Sequence, residues 1–182
     1  GNRDGASVDE DTAVNPESNR AWRRVAAEQA LRAWGDRFGV DVVILRVPGI
    51  YGPQRLGMEQ LRQGTAVIAE ADCGPGNRIH VDDLLTCCAA ALSSTAPAGI
   101  YNVGDGDHRS STWFSNEVAR QCGLPPPASI SMADAKREFS PMRMSFLRES
   151  RKVNTQKMRD VLGVTPKYAN AEEGIRASLA SN

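Results

Sequence analysis

Apolar residues recur at helical spacing in one long segment near the start of the chain, residues 15–39. That periodicity predicts one long helix. Pro16 suits its first turn, Ser18 or Asn15 is placed to cap it, and Gly39 is the kind of residue that ends a helix. The apolar positions that set the spacing are Trp22, Val25, Ala26, Ala30, Ala33 and Trp34.

A near-continuous apolar run at residues 40–47 follows this helix and is typical of a strand buried on both faces of a parallel sheet. The turn-forming residues Pro48, Gly49, Gly52 and Pro53 predict that the strand closes there. Strands that alternate with helices along the rest of the chain predict an α/β fold built around a parallel sheet. Further strands are predicted within residues 65–70, 78–80, 99–106 and 128–131, and further helices within residues 58–63, 81–94, 110–122, 132–139, 155–162 and 171–180.

Composition narrows the class of protein without identifying it. The 182 residues carry 22 basic and 22 acidic side chains, so no global field would recruit nucleic acid or an anionic membrane. One segment, residues 132–160, is locally basic, with eight Lys or Arg against four acids. We interpret it either as a solvated face or as a pocket wall that meets an anionic substrate.

Several kinds of site and location are not expected from the sequence. It contains no apolar run of about 18 residues, so no membrane-spanning helix is predicted, and no signal-peptide pattern opens it. The four cysteines have no metal-binding spacing, and the two histidines form no H-x-x-x-H, so no metal site is predicted. Together these features indicate a cytoplasmic protein with structural thiols.

Four motifs occur in a fixed order: "NRAWRRVAAEQAL" on the first helix, "RVPGIYGPQR" after the apolar strand, "NRIHVDDLL" before a helix, and "YNVGDGDHRSSTWFSNEVARQCGLPPP" downstream. In this order the chain resembles the NAD-dependent epimerase/dehydratase family, the extended short-chain dehydrogenases/reductases. The later tail resembles an atypical subgroup of that family. The resemblance extends from the first residue to the final predicted helix.

The resemblance implies the C-terminal part of a Rossmann-like parallel sheet together with a small mixed substrate lobe. Residues 1–110 would form the sheet portion with interleaved lobe segments, and residues 111–182 mainly the lobe and the C-terminal helices. It also implies NAD or NADP as the cofactor. The Gly-rich turn that holds the dinucleotide pyrophosphate in the family is not in this sequence. We therefore expect a C-terminal fragment, inactive alone, whose partner is the missing N-terminal half of the same protein.

The family carries a Tyr and, four residues later, a Lys on one face of the first helix, where positions i and i+4 lie one turn apart. The resemblance puts Arg20 at the Tyr position and Arg24 at the Lys position. A guanidinium cannot give up a proton near neutral pH, so Arg20 cannot replace the tyrosine as acid/base. Arg24 would still be able to hold a ribose hydroxyl or a phosphate. Alternatively, Arg24, Glu28 and Arg32 form a solvated i,i+4 ladder.

Other positions inherit family roles at the end of the apolar strand. The resemblance implies that the backbone at Pro48, Gly49 and Ile50 meets the nicotinamide, because ligands of open α/β sheets bind at such carboxyl ends. Plain turn chemistry is the other interpretation of Pro48 and Gly49. Tyr51 is a candidate to supply the missing catalytic hydroxyl, or else it is a buried core tyrosine.

Arg78 and His80 share a strand face by the period of two. The resemblance places this segment beside the substrate pocket, where Arg78 would bind an anionic group such as a phosphate and His80 would also contact the substrate. The competing interpretation of Arg78 is a structural ion pair with Asp82 or Asp83.

Three hypotheses about function remain open at this point. The first is an NAD(P)-dependent oxidoreductase that acts on a small molecule, nucleotide-sugar-like in class. The second is a non-catalytic dinucleotide-binding sensor or scaffold that has lost the Tyr and Lys pair, and the third is a free-standing binding module. The resemblance also suggests a homodimer formed through the helix that carries Trp22 and the helix before it.

Overall fold

Short parallel strands alternate with helices throughout the computed structural model, which describes residues 1–181. The strands are β1 (Ser7–Val8), β2 (Val43–Arg46), β3 (Gly49–Tyr51), β4 (Val67–Ile68), β5 (Arg78–His80), β6 (Gly99–Asn102), β7 (Ser129–Ile130) and β8 (Lys152–Val153). The helices are α1 (Asn19–Phe38), α2 (Met58–Arg62), α3 (Val81–Ala91), α4 (Ser111–Gln121), α5 (Met132–Glu138), α6 (Pro141–Leu147), α7 (Gln156–Asp160) and α8 (Ala171–Ala180).

Every strand pair in residues 1–181 is parallel: β2 with β6, β3 with β5, β1 with β8 and β4 with β7. In the longest ladder Val43 lies opposite Gly99 and Arg46 opposite Asn102. Parallel pairing requires crossover connections, and helices supply most of them. The predicted α/β fold with a parallel sheet is therefore confirmed. Two pairs, β1–β8 and β4–β7, join residues 1–110 to residues 111–182, and the division of the chain at residue 110 stays a prediction.

Local chemistry explains where α1 begins and ends. Ser18 has extended backbone angles, and its Oγ accepts the N–H of Ala21 at 3.2 Å, so the helix begins at Asn19 rather than at residue 15. Gly39 adopts the left-handed conformation with φ of 64° and ends the helix, as predicted. Gly35 is the buried residue of α1, since a Cβ there would lie 2.6 Å from Val42 Cγ2. The helix therefore packs closely against the chain entering β2.

The turn predicted after β2 was wrong in part. Residues 49–51 form β3, which is held by a ladder to Arg78–His80 that local turn propensity cannot reveal. The strands β1 and β8 were missed for the same reason, because each is only two residues long and depends on the other. Helix α6 was also missed, although Ser140 caps it and Pro141 opens it, which is a recognisable start signal.

The buried apolar side chains form separate clusters on either side of β3 and β5. One contains Tyr51, Leu56, Val118, Ala171 and Ile175, and it joins β3 to α4 and α8. Another contains Ile79, Cys87, Val103, Met158 and Val164, and it joins β5 to α3 and α7. A third, around Ile68, Ala135 and Met144, holds α5 and α6 against β4.

Helix α1 contrasts with these clusters, because several of its large apolar side chains face outward. Trp22, Leu31, Trp34 and Phe38 are each about half exposed or more. The homodimer expected through this helix stays a prediction. None of the helices in residues 1–181 is both long and apolar enough to cross a membrane.

Candidate functional site

Two open clefts meet beside the carboxyl end of β2. The first, the α1 cleft, has a volume of about 600 Å³ and lies between α1, β2 and the segment at residues 8–15. The second, the β3 cleft, has a volume of about 580 Å³ and is lined by β3, the loop before β5, and α6 with the residues after it. Eight residues line both and form what we call the junction: Arg20, Arg24, Val47, Pro48, Ile50, Asn77, Glu149 and Arg151.

The chain between β2 and β3 supplies the apolar part of the junction. Pro48 and Ile50 line both clefts, and Gly49 lines the β3 cleft, where its N–H donates to the Asn77 carbonyl at 3.3 Å. The structure thus brings the three positions predicted to meet the nicotinamide to one edge of the clefts. Their contact with a cofactor stays a prediction.

Arg20 is bound to the segment that follows α6. Its Nη2 donates to Glu149 Oε1 at 3.1 Å, and its guanidinium lies 3.8 Å from the centre of the Phe146 ring. The same carboxylate accepts a hydrogen bond from Arg151 Nη1 at 2.9 Å, through its other oxygen. Arg20, at the position where the resemblance expects a tyrosine, therefore holds α1 against this segment, and its guanidinium cannot exchange a proton there.

Arg24 lies one turn further along α1 and is exposed at the junction. The ladder with Glu28 and Arg32 is not formed. Glu28 instead accepts two hydrogen bonds from Arg46, at 2.6 Å from Nη2 and 3.0 Å from Nε. This forked, half-buried pair between α1 and β2 is geometrically better than an exposed pair along one helix. Among residues 1–181, no ion pair or side-chain hydrogen bond engages the Arg24 guanidinium.

Tyr51 is almost completely buried, although it is one of the residues that line the β3 cleft. Only 3% of it is exposed, and its ring makes edge-on contacts with His80 and Phe114. Its hydroxyl is buried and has no hydrogen-bond partner in the described part of the chain. Burial raises the pKa of Tyr51 well above its ordinary value. These observations favour the core interpretation over a catalytic hydroxyl.

Arg78 points its charge into a buried cluster of polar groups. Its guanidinium donates to the carbonyls of Arg109 and Ser110 and lies 3.5 Å from the carboxylate of Asp107. The ion pair predicted with Asp82 or Asp83 is therefore replaced by one with Asp107. Burial lowers the pKa of Arg78, and Asp105 and Asp107 oppose that effect. Arg78 does line the β3 cleft, and although its Nη2 is engaged by the two carbonyls, its buried Nη1 has no hydrogen-bond partner in residues 1–181. Its contact with an anionic substrate group stays a prediction.

His80 lies away from both clefts and acts as a buried structural cap. Its Nδ1 accepts the N–H of Asp82 at 3.2 Å, at the start of α3. Its Nε2 lies 3.1 Å from Ser178 Oγ, and that hydroxyl donates to the Gly174 carbonyl at 2.7 Å. The tautomer with the proton on Nε2 satisfies all these contacts, and burial lowers the pKa of His80. The structure therefore does not place His80 on the wall of either cleft, and its contact with a substrate stays a prediction.

Two acidic residues of structural importance were not predicted from the sequence. Asp105 is 2% exposed, and burial raises its pKa to about 7. Although burial acts to raise the pKa of Asp107, hydrogen bonds from Arg109 and from backbone amides lower it to about 2. Both lie in the "GDGDH" turn at residues 104–108. Within residues 1–181 there is no cluster of metal-ligating side chains.

Sequence reasoning also missed Glu149, Arg151 and Asn77 at the junction. Asn77 Nδ2 donates to the Arg151 carbonyl, and Asn77 Oδ1 accepts the N–H of Val153, both at 2.8 Å. The signal was present in the basic segment at residues 132–160, for which a pocket wall was one of two interpretations. Arg151 does line both clefts, whereas Arg137 of the same segment pairs with Asp134 on the surface.

Comparison with known proteins identifies the family. Residues 2–104, more than half of the chain, match the sequence profile of the NAD dependent epimerase/dehydratase family. The chain belongs to this family. A 3-diazoavenalumate denitrifying reductase from a Streptomyces species is a relative with 28% identity over 159 residues, covering 84% of this chain and 51% of that protein. The chain thus spans about half the length of that curated relative.

Two solved structures have the same fold as this chain. A functionally unknown conserved protein from Silicibacter pomeroyi is 32% identical and superposes with a TM-score of 0.89 over 100% of this chain and 62% of that one. MoeE5, in complex with UDP-glucose and NAD, is 22% identical with a TM-score of 0.76, over 99% of this chain and 60% of that one. The second likeness shows the fold alone. Taken together, these structures agree with the Rossmann-like, parallel arrangement observed here.

Proposed function

We propose that this chain supplies the substrate-side half of the active site of an NAD(P)-dependent oxidoreductase of the epimerase/dehydratase type. The observation that carries the proposal is the pair of clefts that meet at Pro48 and Ile50, at the carboxyl end of β2. Ligands of open parallel sheets bind at such ends. In this arrangement the α1 cleft takes the nicotinamide end of the dinucleotide, and the β3 cleft takes a small-molecule substrate.

The residues present fit one end of the dinucleotide. The wall formed by Val47, Pro48 and Ile50 is apolar, as a nicotinamide ring requires, and Arg24 offers donors to a ribose hydroxyl. When bound, the dinucleotide supplies hydride transfer. The Gly-rich turn that holds the pyrophosphate in dinucleotide-binding folds is not in this sequence, so no pyrophosphate contact is proposed for this chain.

We propose a nucleotide sugar as the first substrate class to test. The β3 cleft is large enough for a sugar ring with part of its leaving group, and five arginines line it against two acids: Arg20, Arg24, Arg55, Arg78 and Arg151 against Asp72 and Glu149. That excess of positive charge favours a diphosphate. MoeE5, which has the same fold, is a UDP-glucose and NAD complex, and this supports the choice of probe.

Binding measurements on the gene product that contains this chain test the proposal. NADH, NADPH and UDP-glucose are titrated separately by calorimetry. The Ile50→Trp variant, which fills the junction, should weaken dinucleotide binding at least about tenfold. Leu85→Trp, on the exposed side of α3 and outside both clefts, is the matched control and should bind within about twofold of wild type. A wild type that binds neither dinucleotide would overturn the proposal.

Arg20 gives specific support to a second candidate, a dinucleotide-binding sensor without turnover. The guanidinium is engaged with Glu149 and Phe146, and it has no proton to exchange at neutral pH. The double variant Arg20→Tyr, Arg24→Lys separates the two functions in an assay for dinucleotide reduction over a substrate panel. Turnover by wild type excludes the sensor, whereas turnover by the double variant alone excludes an enzymatic role for wild type.

A further inference from the structure

The eight residues of the junction carry an excess of positive charge among themselves. Three of its eight residues are arginines and one is a glutamate, which leaves two positive charges where the two clefts meet. The whole chain is neutral, with 22 basic and 22 acidic side chains, so this local excess is a property of the site.

The polar groups of the junction divide into engaged and available ones. Both polar atoms of the Asn77 amide bond the backbone, Nδ2 to Arg151 and Oδ1 to Val153. Glu149 bridges Arg20 and Arg151, at 3.1 Å and 2.9 Å. Arg24 alone among these charged groups has no partner in residues 1–181, because the carboxylate nearest to it along the helix, Glu28, is bound to Arg46.

We infer that the junction binds an anionic oxygen group, a carboxylate or a phosphate, of the small-molecule substrate. Arg24 is its main ligand, and the bridged arginines Arg20 and Arg151 add charge. Glu149 already shows that a carboxylate fits between two of these guanidinium groups. A guanidinium presents forked N–H donors that match carboxylate and phosphate oxygens, and the apolar floor of Val47, Pro48 and Ile50 strengthens the attraction by lowering the local dielectric.

This site differs from the pocket around Arg78, where the sequence predicted an anion. Arg78 is 6% exposed and pairs with Asp107, whereas Arg24 is exposed to both clefts. Two of the junction residues, Arg20 and Arg24, stand at the positions on α1 where the family resemblance expects the Tyr and Lys of proton transfer. As a statement about the substrate, the inference rests on the proposed function. As a statement about anion binding, it does not.

The experiment titrates the gene product that contains this chain, free of dinucleotide, with two probes, benzoate and inorganic phosphate, and follows the arginine Nε–H signals by NMR at low ionic strength. Arg24→Gln removes the charge with little change in length and should weaken binding at least about fivefold. Arg24→Lys should retain binding within about threefold. Arg32→Gln makes the same charge change two turns further along α1, outside both clefts, and should stay within about twofold of wild type.

A second variant tests the sign of the electrostatic argument. Glu149→Gln removes the one negative charge of the junction and should tighten binding of either probe at least about twofold. Its circular dichroism spectrum and thermal midpoint establish that the variant remains folded. If Glu149→Gln does not fold, the comparison of Arg24→Gln with Arg32→Gln decides alone.

The two probes distinguish a carboxylate site from a phosphate site. Stronger binding of benzoate assigns a carboxylate, and stronger binding of phosphate assigns a phosphate. No binding of either probe by wild type, or equal weakening in Arg24→Gln and Arg32→Gln, overturns the inference. Because no dinucleotide is present in these titrations, failure of the proposed function in the NADH experiment leaves their result unaffected.

Discussion

The buried hydroxyl of Tyr51 leads to a prediction that bears on both stability and function. Replacing Tyr51 with Phe removes an oxygen that has no hydrogen-bond partner within residues 1–181 and keeps the ring, which packs edge-on against His80 and Phe114. An unpaired buried polar group costs about 1–3 kcal/mol, so the variant should be more stable by about 1 kcal/mol. The most common outcome for a buried substitution is the opposite sign.

Gly174 packs against the Tyr51 ring, so a substitution at residue 174 tests the same contact from the other side. A Cβ at residue 174 would lie 2.8 Å from Tyr51 Cε2 and 2.9 Å from Cζ, and closer still to the hydroxyl oxygen. Ala is preferred to Gly inside a helix by about 1 kcal/mol, but forcing a methyl into a packed interior costs about 1–3 kcal/mol. Gly174→Ala should therefore destabilise the protein by about 1 kcal/mol, and by less in the Tyr51→Phe background.

Urea unfolding followed by circular dichroism measures all four proteins of this double-mutant cycle. The reasoning is refuted if Tyr51→Phe loses more than about 1 kcal/mol, because the hydroxyl would then have a partner in solution. Dinucleotide-dependent turnover is the functional check. If wild type is active and Tyr51→Phe is not, Tyr51 carries chemistry and is not simply a core residue.

Three further predictions concern buried charges and can be checked in the same unfolding assay. Burial raises the pKa of Asp105 to about 7, against 3.8 for an ordinary aspartate, so between these pH values the folded protein binds more protons than the unfolded one. The free energy of unfolding should therefore fall as pH rises from about 4 to about 7, and Asp105→Asn should reduce this dependence on pH. The carboxylate of Asp83 accepts two backbone N–H groups, at 2.7 Å and 3.0 Å, so Asp83→Asn should cost about 1–2 kcal/mol, unlike the exposed Asp82→Asn. Glu28→Gln should cost about 1 kcal/mol of stability by weakening its half-buried pair with Arg46, and Arg46→Gln should cost the same. If the double variant loses no more than either single variant, the pair is confirmed, whereas fully additive losses would contradict it.

Patterns that depend on local physics were predictable from the sequence. The end of α1 at Gly39 and the strand β2 within the apolar run follow from backbone freedom and hydrophobic patterning, although β2 is half-buried rather than buried on both faces. The order of the family motifs predicted the family and its fold, and both are confirmed. Strand β3 was not predictable, because its ladder partner lies far along the chain and its own residues favour a turn.

The candidate site was predicted less completely than the fold, for a related reason. The position of Pro48, Gly49 and Ile50 beside a cleft followed from the strand end that precedes them. Glu149 reaches the junction only because the chain after α6 folds back beside α1, and no pattern within residues 132–160 specifies that return. The ion pair between Glu28 and Arg46 likewise depends on the packing of α1 against β2. The i,i+4 spacing within a helix cannot predict such a contact.

The bridge from Arg20 through Glu149 to Arg151 makes these positions epistatic. Introducing a tyrosine at residue 20 would remove one of the two cations that Glu149 holds and would leave the Phe146 ring without its stacked guanidinium. The effect of a substitution at residue 20 therefore depends on which residue stands at 149. Substitutions at residues 20 and 149 should therefore be non-additive in their effect on the free energy of unfolding.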